Sequence, residues 1–154
     1  MYEKILVTTD GSDLSRSAAL AGVEFARRVN AEVVALYVAP VYQYPIYLEL
    51  IPPSFPNEPD YNSSMVRAGA AHLAPIEQAA ASAGVRYTGL TVFSDATALE
   101  IVEVARTHGC DLIFIGSHGR SGWGQILLGS VTNKVLSSCD IPVLVHRLRH
   151  APPA

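Results

Sequence analysis

The chain has 154 residues, of which 49% are hydrophobic and only 16% are charged, and its formal net charge is −3. This length is typical of one domain with a sizeable core, and the apolar composition favours extensive burial or self-association. The acidic balance argues against a general nucleic-acid binder, which would present a basic face. No apolar run reaches the roughly 18 residues that a membrane span requires, and no leader pattern precedes the first strand, so we expect a cytoplasmic protein.

Short β-branched runs alternate with helical patterns along the chain, which predicts βαβ units around a parallel sheet. The first strand is predicted at residues 4–8. Ser12 or Asp13 can cap the helix that follows, and Asn30 is a plausible stop before a strand at residues 32–38. The apolar positions that recur at helical spacing in this helix are Ala19, Val23, Ala26 and Val29. Gly22 lies on the same face, where it permits close packing of the helix on the sheet.

The middle of the chain begins with a Pro-rich and Tyr-rich segment at residues 40–62. A second helix is predicted at residues 64–83, with Pro75 kinking it and Gly84 ending it. The third strand is predicted at residues 86–93.

In the last third of the chain, Thr97 and Glu100 have the spacing of a capping box, although Asp95 is an alternative cap. This helix extends to residue 108 and stops at Gly109. The fourth and fifth strands are predicted at residues 111–115 and 142–146, and the fourth is a continuous apolar run of the kind buried on both faces of a sheet.

The most informative motif follows the fourth strand. Gly116 and Gly119 are separated by two residues, and nine residues later come Gly129 and Ser130, where a helix is predicted to begin. Glycines let amide N–H groups approach phosphate oxygens, and a helix N-terminus adds unpaired donors and a positive dipole end. The motif is neither a Walker A loop nor GxGxxG. A phosphate here would be bound mainly by backbone amides and by the hydroxyls of Ser130 and Thr132.

This loop resembles the nucleotide loop of the ATP-binding branch of the universal stress protein family. The opening residues 4–12 and the closing residues 130–145 are also similar to that family, whereas residues 39–64 carry little of the resemblance. The resemblance implies one domain over residues 1–147, followed by a flexible tail at 148–154. It also implies an α/β fold with a single doubly wound sheet of five parallel strands, in the order 3-2-1-4-5, and helices on both faces.

In this order strands one and four are neighbours, and their carboxyl ends flank the switch point where open α/β sheets bind ligands. Asp10 follows the first strand and Gly116 ends the fourth, so two distant motifs converge on one crevice. Asp10 has two interpretations. Its carboxylate could accept hydrogen bonds from ribose hydroxyls or help to bind a metal, or it could belong to a turn that caps the next helix.

The resemblance also implies the positions that contact the nucleotide. The backbone at Val38 would meet the adenine, although Val38 could equally be a plain core residue. Ile115 and Gly116 would lie against the sugar, and the amides of Gly119, Gly129, Ser130 and Val131 would face the phosphates. The predicted nucleotide-binding residues are Thr9, Asp10, Val38, Ile115, Gly116, Ser117, His118, Gly119, Arg120, Gly129, Ser130, Val131 and Thr132.

The sequence supports binding better than catalysis. The histidines lack the spacing of a transition-metal site, so the expected metal is Mg²⁺ bound together with ATP. His118 is either a loop residue near phosphate or a catalytic group, and Arg120 either supplies charge to the phosphates or is solvated. We therefore predict an ATP-binding stress-response regulatory protein. The alternatives are a slow ATPase or autophosphorylating protein, with an acceptor near Ser130, and a partner-binding module in which nucleotide is incidental.

The sequence also contains two candidate interaction surfaces and two cysteines. Tyr42, Tyr44, Tyr47 and Phe55 lie in the long segment after the second strand, which is a lid, a surface for a protein partner, or a loop packed on its own domain. The fifth strand is an apolar sheet edge, and the resemblance implies a homodimer through Val143, Leu144 and Val145. Cys110 and Cys139 form no CxxC pair, and we expect both to be small packing residues.

Overall fold

The computed structural model describes residues 1–46, 49–118 and 128–148. Strands and helices alternate along almost the whole chain, as the apolar pattern predicts. They are β1 (Lys4–Thr9), α1 (Asp13–Val29), β2 (Glu32–Ala39), α2 (Glu58–Ala83), β3 (Tyr87–Phe93), α3 (Thr97–Thr107), β4 (Leu112–Gly116), α4 (Ser130–Ser138) and β5 (Val143–His146).

The five strands form one sheet in the order β3-β2-β1-β4-β5, and every neighbouring pair is parallel. The predicted fold class and strand order are therefore confirmed. None of the described helices is long and apolar enough to cross a membrane.

Two apolar cores lie on opposite faces of the sheet. Successive strand residues point to opposite faces, so Val7 packs with α1 and α2 while Leu6 packs with α3 and α4. Ile76 of α2 and Val135 of α4 are fully buried in these two cores. Helices thus cover both faces, as a sheet buried on both sides requires.

Local chemistry sets both ends of α1. The hydroxyl of Ser12 accepts a hydrogen bond from the N–H of Ser15, and Asn30 adopts the left-handed conformation at φ 58°. Both predicted boundaries are confirmed. Gly22 also has its expected role, because a Cβ there would lie 2.7 Å from Val7 Cγ1 and 3.1 Å from Phe114 Cδ1.

The predicted start of α2 at residue 64 is wrong, since the helix begins at Glu58. The Asn57 side chain accepts a 2.8 Å hydrogen bond from the N–H of Asp60 and so caps the helix. Pro59 occupies the first turn, where its missing N–H costs nothing. Pro75 lies inside the helix, which continues to Ala83.

The capping box predicted at Thr97 and Glu100 is also wrong. Ala96 is the N-cap of α3 and makes no side-chain capping bond. Asp95, the alternative cap, instead accepts a 3.1 Å hydrogen bond from the N–H of Val41. The other end of the helix agrees with expectation, because Gly109 follows it at φ +66°.

Candidate functional site

The crevice lies at the carboxyl ends of β1 and β4, which are adjacent in the sheet. Leu6 is paired with Ile113 and Val7 with Phe114 in parallel register. Within the sheet, β2 and then β3 lie on one side of β1, whereas β4 and then β5 lie on its other side. The strand order therefore reverses at this point, which is where open α/β sheets leave room for a ligand.

The turn between β1 and α1 holds Asp10 in a network of short hydrogen bonds. Its Oδ1 accepts from the Ser15 hydroxyl at 2.7 Å and from the N–H of Ser12 at 2.9 Å. Gly11 makes the turn possible with φ +84°, and its N–H donates to the Thr9 hydroxyl at 3.2 Å. Asp10 therefore does belong to a turn, and that turn also fixes its carboxyl group at the edge of the crevice.

The glycine loop is closed by two hydrogen bonds at its base. The N–H of Gly129 donates to the carbonyl oxygen of Ser117 at 2.8 Å, and the Thr132 hydroxyl donates to the carbonyl oxygen of Gly116 at 2.8 Å. The Gly129 amide is thus occupied by the protein itself. The expectation that this amide faces a phosphate is therefore not supported.

The first turn of α4 supplies open donors. Gly129 is its N-cap and offers no side chain, and within the described residues the N–H groups of Ser130 and Val131 make no hydrogen bond. Ser130 and Val131 are both exposed. The positive end of the helix dipole therefore opens toward the crevice with donors available for an anion.

These elements enclose a cavity of about 260 Å³. Its lining combines an apolar wall with hydroxyl, carboxyl and amide groups, a composition typical of small-molecule sites. The lining residues are Thr8, Thr9, Asp10, Ser15, Leu36, Val38, Thr97, Ile101, Ile115, Gly116, His118, Gly129, Ser130, Val131 and Thr132.

Most residues predicted from the sequence meet in this cavity. Ser117 does not line it, because it is buried beneath the loop with its N–H donating to the carbonyl oxygen of His146 at 2.9 Å. Its hydroxyl lies 3.1 Å from His118 Nδ1. Gly119 and Arg120 lie outside the described residues.

Sequence reasoning missed several lining residues, namely Thr8, Ser15, Leu36, Thr97 and Ile101. A signal existed for Leu36, since it lies two residues before Val38 and so on the same face of β2. For the two α3 residues no local signal was available. Their place at the site depends on how α3 packs beside the sheet.

Two further predictions concern metals and cysteines. Among the described residues no three His, Cys, Asp or Glu side chains cluster as metal ligands. Cys110 is buried among apolar side chains, and burial raises the pKa of its thiol to about 11. Cys139 is half-buried and packs against the same core. Both are free thiols, which agrees with packing roles.

Fold and cavity together define a doubly wound α/β protein with a cavity at its switch point. The model of the universal stress protein family matches residues 1–147, and the chain belongs to that family. The resemblance on which the sequence interpretation depended is thereby confirmed.

Two relatives match almost the whole chain. Universal stress protein YxiE of Bacillus subtilis is 34% identical over 152 residues, covering 96% of this chain and all of the relative. Universal stress protein MJ0531 of Methanocaldococcus jannaschii is 33% identical over 148 residues, covering 94% of this chain and 82% of the relative.

Solved structures share the fold. Protein MJ0577 of Methanocaldococcus jannaschii superposes with a TM-score of 0.79 at 27% identity, covering 98% of this chain and 99% of that one. A universal stress protein in complex with cAMP has a TM-score of 0.66 at 24% identity, covering 95% and 97%. The Archaeoglobus fulgidus protein in complex with dAMP has a TM-score of 0.62 at 18% identity, covering 94% and 97%. These last two similarities concern the fold alone.

Proposed function

We propose that this chain binds ATP, together with Mg²⁺, in the cavity at the ends of β1 and β4, and that it acts as a nucleotide-responsive regulatory protein. One observation carries the proposal. The β1–α1 turn, the end of β2 and the start of α4 contribute to a single cavity with an apolar side and an anion-binding side. A nucleotide has the same division, with an aromatic base at one end and phosphates at the other.

The chemistry of the lining fits such a ligand. Leu36, Val38 and Ile101 provide apolar surface for a base. At the end of β2, backbone N–H and C=O groups can form hydrogen bonds with the polar edge of that base. The Asp10 carboxyl group is positioned to accept hydrogen bonds from ribose hydroxyls. The amide N–H groups of Ser130 and Val131 would donate hydrogen bonds to the phosphates. Mg²⁺ would be coordinated chiefly by phosphate oxygens and water, which its octahedral preference favours.

Adenine nucleotides have been found in other members of the family. Two universal stress proteins of the same fold have been solved with cAMP and with dAMP. Both ligands contain adenine and a phosphate group. The triphosphate form is our proposal for this chain, and it depends on the α4 N-terminus and the glycine loop.

A regulatory role fits the cavity better than rapid turnover. Asp10 and His118 are the titratable side chains among its lining residues. The Asp10 Oδ1 already accepts two hydrogen bonds within its own turn, so it is held for positioning rather than for taking a proton from water. The proposal is therefore one of nucleotide binding rather than of efficient hydrolysis.

Calorimetric titration with Mg-ATP, preceded by native mass spectrometry of the purified protein, tests the proposal. We expect copurified adenine nucleotide or micromolar binding. Asp10→Asn should weaken binding, and Gly129→Val should abolish it, because a Cβ at Gly129 already lies 3.3 Å from the Ser117 oxygen. Asp13→Asn is the matched control, since Asp13 is exposed in the same turn and pairs with Arg16. No binding at millimolar ATP would overturn the proposal.

We also propose that the chain forms a homodimer through β5. Its residues Val143, Leu144 and Val145 are half-buried at an open sheet edge. The carbonyl groups of Pro142 and His146 point toward β4, where they accept from Ile113 and Ser117. By alternation the backbone groups of Val143 and Val145 point outward, where a second copy would pair.

Val145→Pro tests this dimer. Proline removes an outward N–H and is tolerated on an edge strand, so the β4–β5 pairing should survive. Analytical ultracentrifugation should show the wild type as a dimer and this variant as a folded monomer. A wild type that sediments as a monomer at micromolar concentration would contradict the dimer.

The segment after β2 is the proposed surface for a protein partner. Tyr42 forms a ring cluster with Tyr44, Phe55 and Tyr61, and its hydroxyl donates to the Pro56 carbonyl oxygen at 2.8 Å. Part of the segment therefore packs on its own domain. Apolar side chains nevertheless remain exposed on it, among them Ile46, Leu50 and Ile51.

If ATP orders this surface, limited proteolysis of residues 40–62 should slow when ATP is added. Equal cleavage rates would contradict the coupling.

A further inference from the structure

One wall of the cavity carries a polar side chain to which the proposed function assigns no contact. It is the first turn of α3, from which Thr97 and Ile101 line the cavity. These residues are four apart and therefore lie on the same helix face, one turn from each other. Ile101 is 2% exposed, so this face is held firmly against the core between α3 and the sheet.

The Thr97 hydroxyl has no partner among the residues that the structure describes. A threonine at this place could cap α3, but the N-cap is Ala96 and makes no side-chain bond. The neighbouring polar groups have other partners. Ser94 Oγ accepts from the N–H of Ala96 at 3.1 Å, and Asp95 accepts from Val41 and Gln43. Within the described residues the Thr97 hydroxyl makes no hydrogen bond.

Position in the sheet decides which part of a ligand Thr97 would meet. α3 packs against β2, with Ile101 in the same core as Leu36. α4, whose first turn offers the phosphate-binding amides, follows β4 on the far side of β1. Adjacent strands are about 4.8 Å apart, so β2 and β4 are separated by roughly 10 Å. α3 also packs against α4, and Thr97 shares the cavity lining with Leu36 and Val38, the β2 residues that would face the base.

From this placement we propose that Thr97 is a specificity-determining residue that hydrogen-bonds the polar edge of the nucleotide base. The inference rests on the proposed function. A bound base displaces water from the cavity and buries the hydroxyl, and a buried hydroxyl without a partner is costly. The hydroxyl both donates and accepts, so it can pair with a polar atom of the base, and the position of that atom on each base decides how strongly the base is bound. Val38 supplies backbone groups on the β2 side, and Thr97 supplies a side chain on the α3 side.

The test compares Mg-ATP with Mg-GTP by calorimetry in Thr97→Val and the wild type. Valine has the same shape as threonine but lacks the hydroxyl. We expect ATP affinity to fall roughly three- to tenfold, the range for loss of one neutral hydrogen bond. ATP and GTP share ribose and phosphates and differ only in the base. A contact with the base should therefore change the ratio of the two dissociation constants by at least about threefold.

Two further variants keep the result interpretable. Thr97→Ser restores a hydroxyl and should restore the wild-type ratio. Thr107→Val makes the same substitution at the other end of α3, where the hydroxyl donates to the Glu103 carbonyl oxygen, and should leave both affinities unchanged. Thermal melting of each variant establishes that it is folded.

The outcomes separate this inference from the function on which it rests. If the ratio of the ATP and GTP dissociation constants is the same in Thr97→Val as in the wild type, the hydroxyl does not discriminate between the bases. The inference is then overturned, while the proposal of ATP binding stands. An equal fall for both nucleotides also overturns it, because the hydroxyl would then not discriminate between the two bases. If the wild type binds neither nucleotide, both proposals fail.

Discussion

The hydroxyl of Thr132 donates a 2.8 Å hydrogen bond to the carbonyl oxygen of Gly116, and this bond ties the first turn of α4 to the end of β4. Thr132 is 3% exposed, so both groups are shielded from water on that side. The bond lies beside the one from Gly129 to Ser117, and together they fix the two ends of the glycine loop. The geometry of the first turn of α4 thus depends on a buried side chain.

Thr132→Val should destabilise the protein by about 1–2 kcal/mol, because it leaves the Gly116 carbonyl group without its donor. Urea denaturation measures the free energy of unfolding. Thr107→Val is the matched control, since Thr107 is exposed, and it should change stability by about 0.5 kcal/mol or less. Equal stability of the two variants would contradict a structural role for the Thr132 hydroxyl.

Gly11→Ala should destabilise the protein for two separable reasons. Its φ of +84° is strained for alanine, and an added Cβ would lie 2.5 Å from Cε1 of His72. The His72 ring is itself packed on Tyr37, with the ring centroids 5.0 Å apart, so it cannot move without loss of contact. We expect a loss of about 2–3 kcal/mol in unfolding free energy by urea denaturation.

The double variant with His72→Ala separates the two reasons. Removing the ring relieves the clash but leaves the backbone strain, so the two substitutions should be non-additive by about 1 kcal/mol. Additivity within about 0.3 kcal/mol would show that His72 does not constrain the turn that holds Asp10.

Cys110 should resist alkylation in the folded protein. Burial raises the pKa of its thiol to about 11, so the thiol is neutral at pH 8 as well as inaccessible. Iodoacetamide labelling of a Cys139→Ser variant should be slow in buffer and fast in urea. Comparable rates in the two conditions would contradict the burial.

The raised pKa of the Cys110 thiol also makes the stability of the protein depend on pH. The folded-state pKa of Cys110 lies above the ordinary thiol value of 9.0, so the folded state binds this proton more tightly than the unfolded state does. The stabilisation that comes from this raised pKa is complete below pH 9 and is lost as the pH rises toward about 11. Urea midpoints of the wild type should therefore fall more across this interval than those of Cys110→Ala.

Glu24 should titrate far below an ordinary glutamate. Hydrogen bonds from Arg27 and Arg28, at 2.8 Å each, lower the pKa of its carboxyl group from 4.5 to about 2. Because the folded-state pKa is depressed, the stabilisation is present above pH 4.5 and is lost as the pH falls through about 2. The pair is exposed, so its effect on stability is small and screened by salt.

A carboxyl titration by NMR measures this pKa directly. Arg27→Gln should raise it toward 4.5, whereas Arg16→Gln, on the same helix but paired with Asp13, should leave it unchanged. A Glu24 pKa near 4.5 in the wild type would contradict the charge network.

Much of the fold was predictable because its determinants are local. Leu112–Gly116 is an apolar strand ending in glycine, Ser12 caps its own helix, and Asn30 ends it with a single left-handed residue. The start of α2 was predictable in principle from Asn57 and Pro59, but the preceding run of prolines favoured a longer loop. The capping box at Thr97 failed because spacing does not show where a side chain points. Asp95 is held by a backbone group from a distant loop.

The sequence by itself determined the order of elements, the helix caps of α1 and the glycine loop that indicates a phosphate site. These depend on backbone chemistry within a few residues and on the periodicity of apolar side chains. Only the tertiary structure decided that Thr97 and Ile101 form a wall of the cavity and that the Gly129 N–H is used by Ser117. Such contacts arise where a helix packs over strands that are distant in the chain, and packing depends on the combined shape of all the elements rather than on any local pattern.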